Sequence, residues 1–344
     1  FNVSTTISSS AVLGMHEVLS YIAENASVAD AAIAQRVQLL KRTFNHSRWA
    51  IQCRPSADEC LCSRGCPTSW LGCRPSRLCS VTGTGLSTDT QIASSRKVSI
   101  LLYLTFTTRD VRHRYAAQPY RAYKRELRRI MWFLHTARRE NVSLPIHVVV
   151  AGDRNLTAEA ELVQLGAHIL ETTMVQAPRW TSSFHKFSFN RISALSFTQF
   201  DKVIVMDNDM AVLHNFDELA MAETPSLVWH TAAPFMLKLG ELCAVTGGLF
   251  VLRPSTIEFA RAVSHLKSMY DGNRTYRYDG SDQEFWRSFY RNPYELPIRY
   301  HATNYLKMPK EEWAKVRAIH FISGFKNVDR RIPAFVRNNM KYQK

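Results

Sequence analysis

Acidic side chains are scarce in this chain, with 29 Asp+Glu against 44 Lys+Arg and a formal charge of +15 over 344 residues. Such a balance favours phosphate-bearing or polyanionic partners, whether nucleic acid, membrane headgroups or nucleotide substrates. Nucleic acid has no motif behind the charge, because zinc-finger spacing and an aromatic RNP-type strand are both missing. No run approaches the roughly 20 apolar residues of a membrane span, and no repeat of solenoid length occurs. Cysteine is nearly confined to one segment, at Cys53, Cys60, Cys62, Cys66, Cys73 and Cys79. That segment holds no Cys-x-x-Cys pair and no His, so a zinc knuckle fits poorly and a disulfide staple fits well.

Apolar residues are plentiful. Hydrophobic types make up 46% and aromatics 11%, which supports a large buried core and excludes global disorder. The length suits two ordinary domains, or one large α/β unit with an appendage. Six Asn-x-Ser/Thr sequons begin at Asn2, Asn25, Asn45, Asn141, Asn155 and Asn273. Together with the cysteine cluster they point to an oxidising, glycosylating compartment. The expected location is the Golgi or secretory-pathway lumen. The first residue is Phe1 rather than Met, and a type II membrane anchor is expected in an upstream segment absent from this chain. Cys243, in an apolar run, is expected to be a buried free thiol.

Three segments are expected. Residues 1–95 read as an N-terminal stem, rich in Ser, Ala, Thr and Cys, with one amphipathic helix at 28–44 and a linker at 81–95. Residues 96–328 alternate strand and helix, and residues 329–344 form a basic tail. In the middle segment, strands are predicted at 98–106, 146–151, 168–171 and 202–206, with helices at about 119–139, 157–165, 189–200 and 283–290. This alternation implies a mixed, mainly parallel sheet flanked by helices, with ligands at the carboxyl ends of its strands. The basic helix carrying Arg121, Lys124, Arg125, Arg128, Arg129, Arg138 and Arg139 reads first as a solvated face. Docking on an acidic acceptor or on membrane phosphates is the alternative.

The chemistry concentrates where the strand at 202–206 runs into Asp207-Asn208-Asp209. Two carboxylates one residue apart, at the end of a strand and on the turn beyond it, can converge on one hard cation. Oxygen ligands with spare coordination positions suit Mn2+, with Mg2+ as the alternative, and diphosphate oxygens can fill the remaining positions. An EF-hand calcium loop is excluded, since Ala211 and Val212 stand where an oxygen ligand and Gly are required.

Further landmarks flank this pair in a fixed order: Thr107-Thr108-Arg109-Asp110 after the first strand, the segment around Arg191, Thr246-Gly247-Gly248, Asp279-Gly280-Ser281-Asp282-Gln283, and His320 with Gly324 and Lys326. Together they resemble glycosyltransferase family 8, the glycogenin-like retaining transferases of the GT-A (nucleotide-diphospho-sugar transferase) fold. The resemblance spans residues 98 to about 328. It implies that Asp207, Asp209 and His320 hold the metal, and that Lys326 and the backbone near Gly324 hold the diphosphate. Thr107 and Tyr115 would meet the uridine. Arg191, Asn208, Thr246 and Gly247 would line the donor site, with Asp279, Asp282 and Gln283 around the sugar. Asp282 would act as nucleophile or orient sugar hydroxyls, unless it merely caps the following helix.

Departures from the family pattern bear on the sugar. Arg191 stands where the family usually has Lys, Thr246-Gly247 replaces Asn-Ser, and Ser281 replaces Gly. The expected activity is metal-dependent, retaining transfer from a UDP-sugar to a glycan, protein or lipid acceptor, without nucleic acid as partner. The rival is a carbohydrate-binding or scaffold protein that keeps the fold without the reaction.

Overall fold

The computed structural model describes residues 57, 58, 60, 74–79, 97–106, 119–182, 185–231, 243–270, 281–290, 292–304, 306 and 308–321. The predicted helix at 28–44 and the linker at 81–95 lie outside them. The main sheet is built around β2 (Val98–Phe106), whose Ile100, Leu101, Leu102 and Leu104 are buried on both faces. Its parallel neighbours are β3 (Ile146–Gly152) on one side and β5 (Lys202–Met206) on the other, with β4 (His168–Thr172) beyond β3. On the far side of β5, β8 (Cys243–Leu252) runs antiparallel to both β5 and β7 (Ser226–Thr231). The edge is completed by β9 (Tyr294–Leu296), parallel to β7, and the two-residue β1 (Arg74–Pro75), parallel to β9. The order is thus β1-β9-β7-β8-β5-β2-β3-β4, a mixed, mainly parallel sheet as expected of a GT-A transferase.

Helix α1 (Pro119–Arg139) packs on β2 through Tyr123, Ile130, Phe133, Leu134 and Ala137, a stripe at helical spacing. Lys124, Arg128, Arg138 and Arg139 on its other side are exposed, the solvated face anticipated. Helix α2 (Leu156–Gln164) starts where Asn155 Oδ1 accepts the Ala158 amide at 3.1 Å, and it stops before Gly166, whose φ of 90° favours glycine. The other helices are α3 (Thr256–Tyr270), α4 (Asp282–Phe289) and the single turn α5 (Lys310–Trp313).

The predicted α-helix at 189–200 is instead a 3-10 helix over Lys186–Ser196. Ser188, Ser193 and Ser196 each donate a hydroxyl to the carbonyl three residues back, at 2.7–2.8 Å. Such local bonds compete with α-helical pairing. Buried Phe189, Ile192 and Leu195 recur every three residues, the 3-10 period.

Part of the segment expected as a stem is built into the sheet. Besides the β1–β9 pairing, Arg299 N donates to Ala57 O at 2.8 Å, and the Arg299 guanidinium meets Asp58 Oδ1 at 3.0 Å. Lys315 bonds the other oxygen of Asp58, also at 3.0 Å. A disulfide joins Cys60 to Cys79, with Cα atoms 5.4 Å apart. A two-residue strand leaves no periodicity, which is why composition alone assigned this block to a stem. Cys243 falls in β8, but its side chain lies outside the described residues.

His147 on β3 supplies a pH probe of the fold. It is hydrogen-bonded through Nδ1 to Ser99 Oγ at 2.6 Å and stacks on His168 at 4.9 Å. Burial, and then the neighbouring imidazole, push its pKa down to about 4 from 6.5. The neutral ring is therefore favoured in the folded state. Its contribution is full above pH 6.5 and drains away as pH falls from 6.5 towards 4. His147→Gln should flatten that part of the acid unfolding curve, so that the change in Tm between pH 7 and pH 4.5 shrinks by a few degrees, read by circular dichroism.

Candidate active site

The turn after β5 carries Asp207, Asn208 and Asp209 into β6 (Met210–Val212). It is pinned from two directions. Asp207 N donates to Gly248 O on β8, and Phe321 N donates to Asp209 O, each at 3.0 Å. A small second sheet, β10 (Ala302–Thr303), β11 (Ala318–His320) and β6, sets His320 directly across from Met210. That register delivers an imidazole from more than a hundred residues away to the carboxylate pair.

The resulting cluster is tight. His320 Nε2 is 3.0 Å from Asp209 Oδ1 and 3.5 Å from Asp207 Oδ2, and one ligand atom from each of the three lies within 4.8 Å of the others. Arg191 forks across the site: it pairs with Asp207 Oδ1, donates to Gly247 O at 2.7 Å and approaches Asp282 Oδ2 at 3.4 Å. Arg129 from α1 stands 3.4 Å from Asp209 Oδ2 and bonds Glu126 at 3.0 Å.

Burial pushes the Asp207 carboxyl up, a rise that Arg191 and His320 only partly offset. Burial acts the same way on Asp209, but His320 and Arg129 outweigh it and hold that carboxyl well below its ordinary range. The His320 imidazole is pulled down by burial, yet Asp209 and Asp207 overcome this and hold it above its ordinary value. Four carboxylates (Glu126, Asp207, Asp209 and Asp282) thus face two guanidiniums. With His320 neutral, as a metal ligand must be, a divalent cation would supply the two missing positive charges, and two carboxylates with one imidazole form a donor set suited to manganese. The residues present fit the metal.

Of the other expected site residues, Asp282 opens α4 but does not cap it. Ser281 is the cap, its Oγ accepting from Gln283 N at 3.1 Å. The Asp282 carboxylate instead accepts from Trp286 Nε1 at 3.0 Å and faces Arg191. Gln283 and Asp282 crowd Gly247, where a Cβ would lie 3.3 Å from Gln283 Cγ and 3.5 Å from Asp282 Oδ1. Asn208 turns its amide inward, donating to Tyr103 O at 2.7 Å, with Glu126 at 3.4 Å. Thr246 is buried, its hydroxyl accepting from Gly248 N at 3.2 Å. Thr107, Tyr115, Asp279, Gly324 and Lys326 lie outside the described residues.

Two neighbours were not anticipated as site residues. Arg129 read as one charge among many on a basic helix, and nothing in its i, i+3 pairing with Glu126 sets it apart from a surface pair. His301 contacts His320 and carried no motif.

The sequence model of a family described as "Mannosyltransferase putative" matches residues 122–223. That stretch includes Arg129, Arg191, Asp207 and Asp209. No curated protein sequence matches the chain. Among solved structures, the GlyE glycosyltransferase of Streptococcus pneumoniae TIGR4 aligns at 15% identity and a TM-score of 0.48, covering 72% of this chain and 61% of that one. The apo structure of the bifunctional glycosyltransferase WbbM aligns at 12% identity and 0.46, covering 72% and 52%. The galactosyltransferase LgtC, solved with donor and acceptor sugar analogues, aligns at 14% and 0.44, covering 71% and 94%. The chain therefore spans about half to three fifths of the length of the first two.

Proposed function

We propose that this chain is a metal-dependent, retaining glycosyltransferase of the family 8 type that takes its sugar from a UDP-sugar. The observation that carries the reading is the Asp207–Asp209–His320 cluster at the carboxyl end of β5, joined through Arg191 to the buried carboxylate of Asp282. Bound there, manganese would neutralise charge building on the departing diphosphate. Asp207, Asp209 and His320 would hold it.

The protein's own groups do the rest. Asp282, with Oδ2 engaged by Trp286 and Arg191, would offer Oδ1 to a sugar hydroxyl, and Gln283 beside it would stabilise the developing oxocarbenium charge. Arg191 holds the Asp207 and Asp282 carboxylates at a fixed spacing, because one guanidinium contacts both, and would thereby set the metal-holding side of the site against the sugar side. Gly247 lets Arg191, Gln283 and Asp282 close in on one another, since a Cβ there would stand 2.9 Å from Arg191 Nη1. Thr107 and Tyr115 would take the uridine, and Lys326 and Gly324 the diphosphate. The incoming acceptor, a glycan, protein or lipid hydroxyl, approaches the same sugar face that the diphosphate leaves.

In this reading residues 96–328 form the catalytic unit, reinforced by the part of the Cys-rich block that joins the sheet. Sequons, clustered cysteines and the Cys60–Cys79 disulfide support a place in the Golgi or secretory-pathway lumen. Among the described residues no helix is long and apolar enough to cross a membrane.

The partial match to a mannosyltransferase family favours a second reading of the donor, with mannose as the transferred sugar. A panel of UDP-glucose, UDP-galactose, UDP-xylose and GDP-mannose, scored for nucleotide release with manganese or with EDTA, decides between them. Release from one UDP-sugar that needs manganese is the expected result. Full activity in EDTA, or UDP binding that is indifferent to manganese, would count against the reading.

A further inference from the structure

His320 can serve as a ligand only through Nε2, the nitrogen that faces Asp207 and Asp209. Its Nδ1 lies 2.7 Å from Nε2 of His301, with the two rings crossed at 69° and their centroids 4.7 Å apart. A neutral imidazole carries one proton. For Nε2 of His320 to offer a lone pair to a metal, that proton must sit on Nδ1 and be donated to His301. His301 must then accept through a bare Nε2 and carry its own proton on Nδ1.

Three features of the fold enforce this pairing. His301 is 2% exposed and His320 6%, so water has little access to replace either partner. β10 and β11 pair Thr303 with His320, which fixes the strand that His301 precedes. Gly248 lies against both rings: a Cβ there would stand 2.0 Å from His301 Nε2 and 2.8 Å from His320 Nδ1. The sequence thus keeps a glycine where any side chain would separate the pair.

We infer that His301 is a positioning residue of the metal site, holding His320 in the tautomer and ring orientation that point its Nε2 lone pair at the Asp207–Asp209 pair. The inference rests on reading the cluster as a metal centre. Partners of this kind usually contribute about 10- to 100-fold in metal affinity.

The test is a titration of the metal-free full chain with MnCl2, following loss of the free-ion EPR signal, for wild type and for His301→Leu, His301→Phe and His301→Gln. Leu and Phe remove the acceptor, whereas Gln restores a carbonyl acceptor. Near-UV circular dichroism in EDTA identifies the variants that fold. The expected result is weakening of Mn2+ binding by about 10- to 100-fold in whichever of Leu and Phe folds, with Gln within about threefold of wild type. Binding that is unchanged in the Leu or Phe variant overturns the inference while leaving the metal site intact. Equal losses in all three also overturn it, because shape rather than the hydrogen bond would then matter. Wild-type protein that binds no Mn2+ overturns the metal reading itself, before any variant is compared.

Discussion

Asp209→Ala should abolish manganese-dependent nucleotide release, lowering the rate by roughly a thousandfold, about 4 kcal/mol of transition-state stabilisation. Asp209 is the more exacting of the two carboxylates. Asp207 already shares its charge with Arg191, whereas Asp209 is held ionised by His320 at 3.0 Å and Arg129 at 3.4 Å. Removing it strips the site of its most reliably anionic ligand, leaves Arg129 with Glu126 alone and Arg191 with Asp207 and Asp282, and so lowers the negative charge that draws in a metal. The fold should survive, because the bond that docks this turn on β11 uses the Asp209 main-chain carbonyl. In EDTA the variant should therefore melt within a few degrees of wild type. With manganese at a hundred times its Kd, wild type gains about 2.7 kcal/mol by mass action, and the variant should gain nothing. A variant that keeps both turnover and the metal-induced rise in Tm would remove Asp209 from the ligand set.

What could be read in advance depended on whether a contact leaves a pattern along the chain. β5 was legible because Val203, Ile204, Val205 and Met206 form an unbroken, fully buried apolar run that ends on charge. α1 was legible because its buried stripe keeps helical spacing from Tyr123 to Ala137. The 189–200 segment was misread because its apolar positions suit a period of three as well as 3.6, and the serine hydroxyls decided the outcome. His320 was reached only through the order of the motifs, since a lone histidine in an apolar stretch has no periodic signature.

Arg129 and His301 were illegible for a stricter reason. Each matters through one contact across the fold, and neither its neighbours nor its spacing reports that contact. Arg191 lay between these cases. Its place among the landmarks marked it, but the link it makes between Asp207 and Asp282 belongs to the three-dimensional site. The N-terminal block shows the limit of composition as a guide. Its cysteines signalled a staple correctly, while the docking of Ala57, Asp58 and Arg74 on the sheet edge left no trace in residue type.

Gly248→Ala should be the most damaging single methyl in the described part of the chain. The added carbon would stand 2.0 Å from His301 Nε2 and 2.8 Å from His320 Nδ1, where ordinary contacts exceed 3.4 Å. On the β7 side the ladder is irregular at this point, so what restrains the backbone is β5, through the Met206–Leu249 pairing and the Asp207 amide held by Gly248 O. The rings must move instead, and both are buried, His301 at 2% and His320 at 6% exposure. Overpacking of this kind costs about 1–3 kcal/mol and occasionally more, and here the upper end is expected because two buried rings share the overlap. Gly247→Ala offers the contrast. Its nearest obstacle is Arg191 Nη1 at 2.9 Å, the far end of a long side chain, so stability should fall less while contacts to Asp207 and Asp282 loosen. Urea unfolding in EDTA should rank Gly248→Ala well below Gly247→Ala, and Mn2+ titration should find binding lost in the former. Combining Gly248→Ala with His301→Ala should recover part of the lost stability, a coupling that distant, independent sites would not show. Purely additive losses, or a Gly248→Ala protein as stable as wild type, would mean that the two rings do not meet at this glycine.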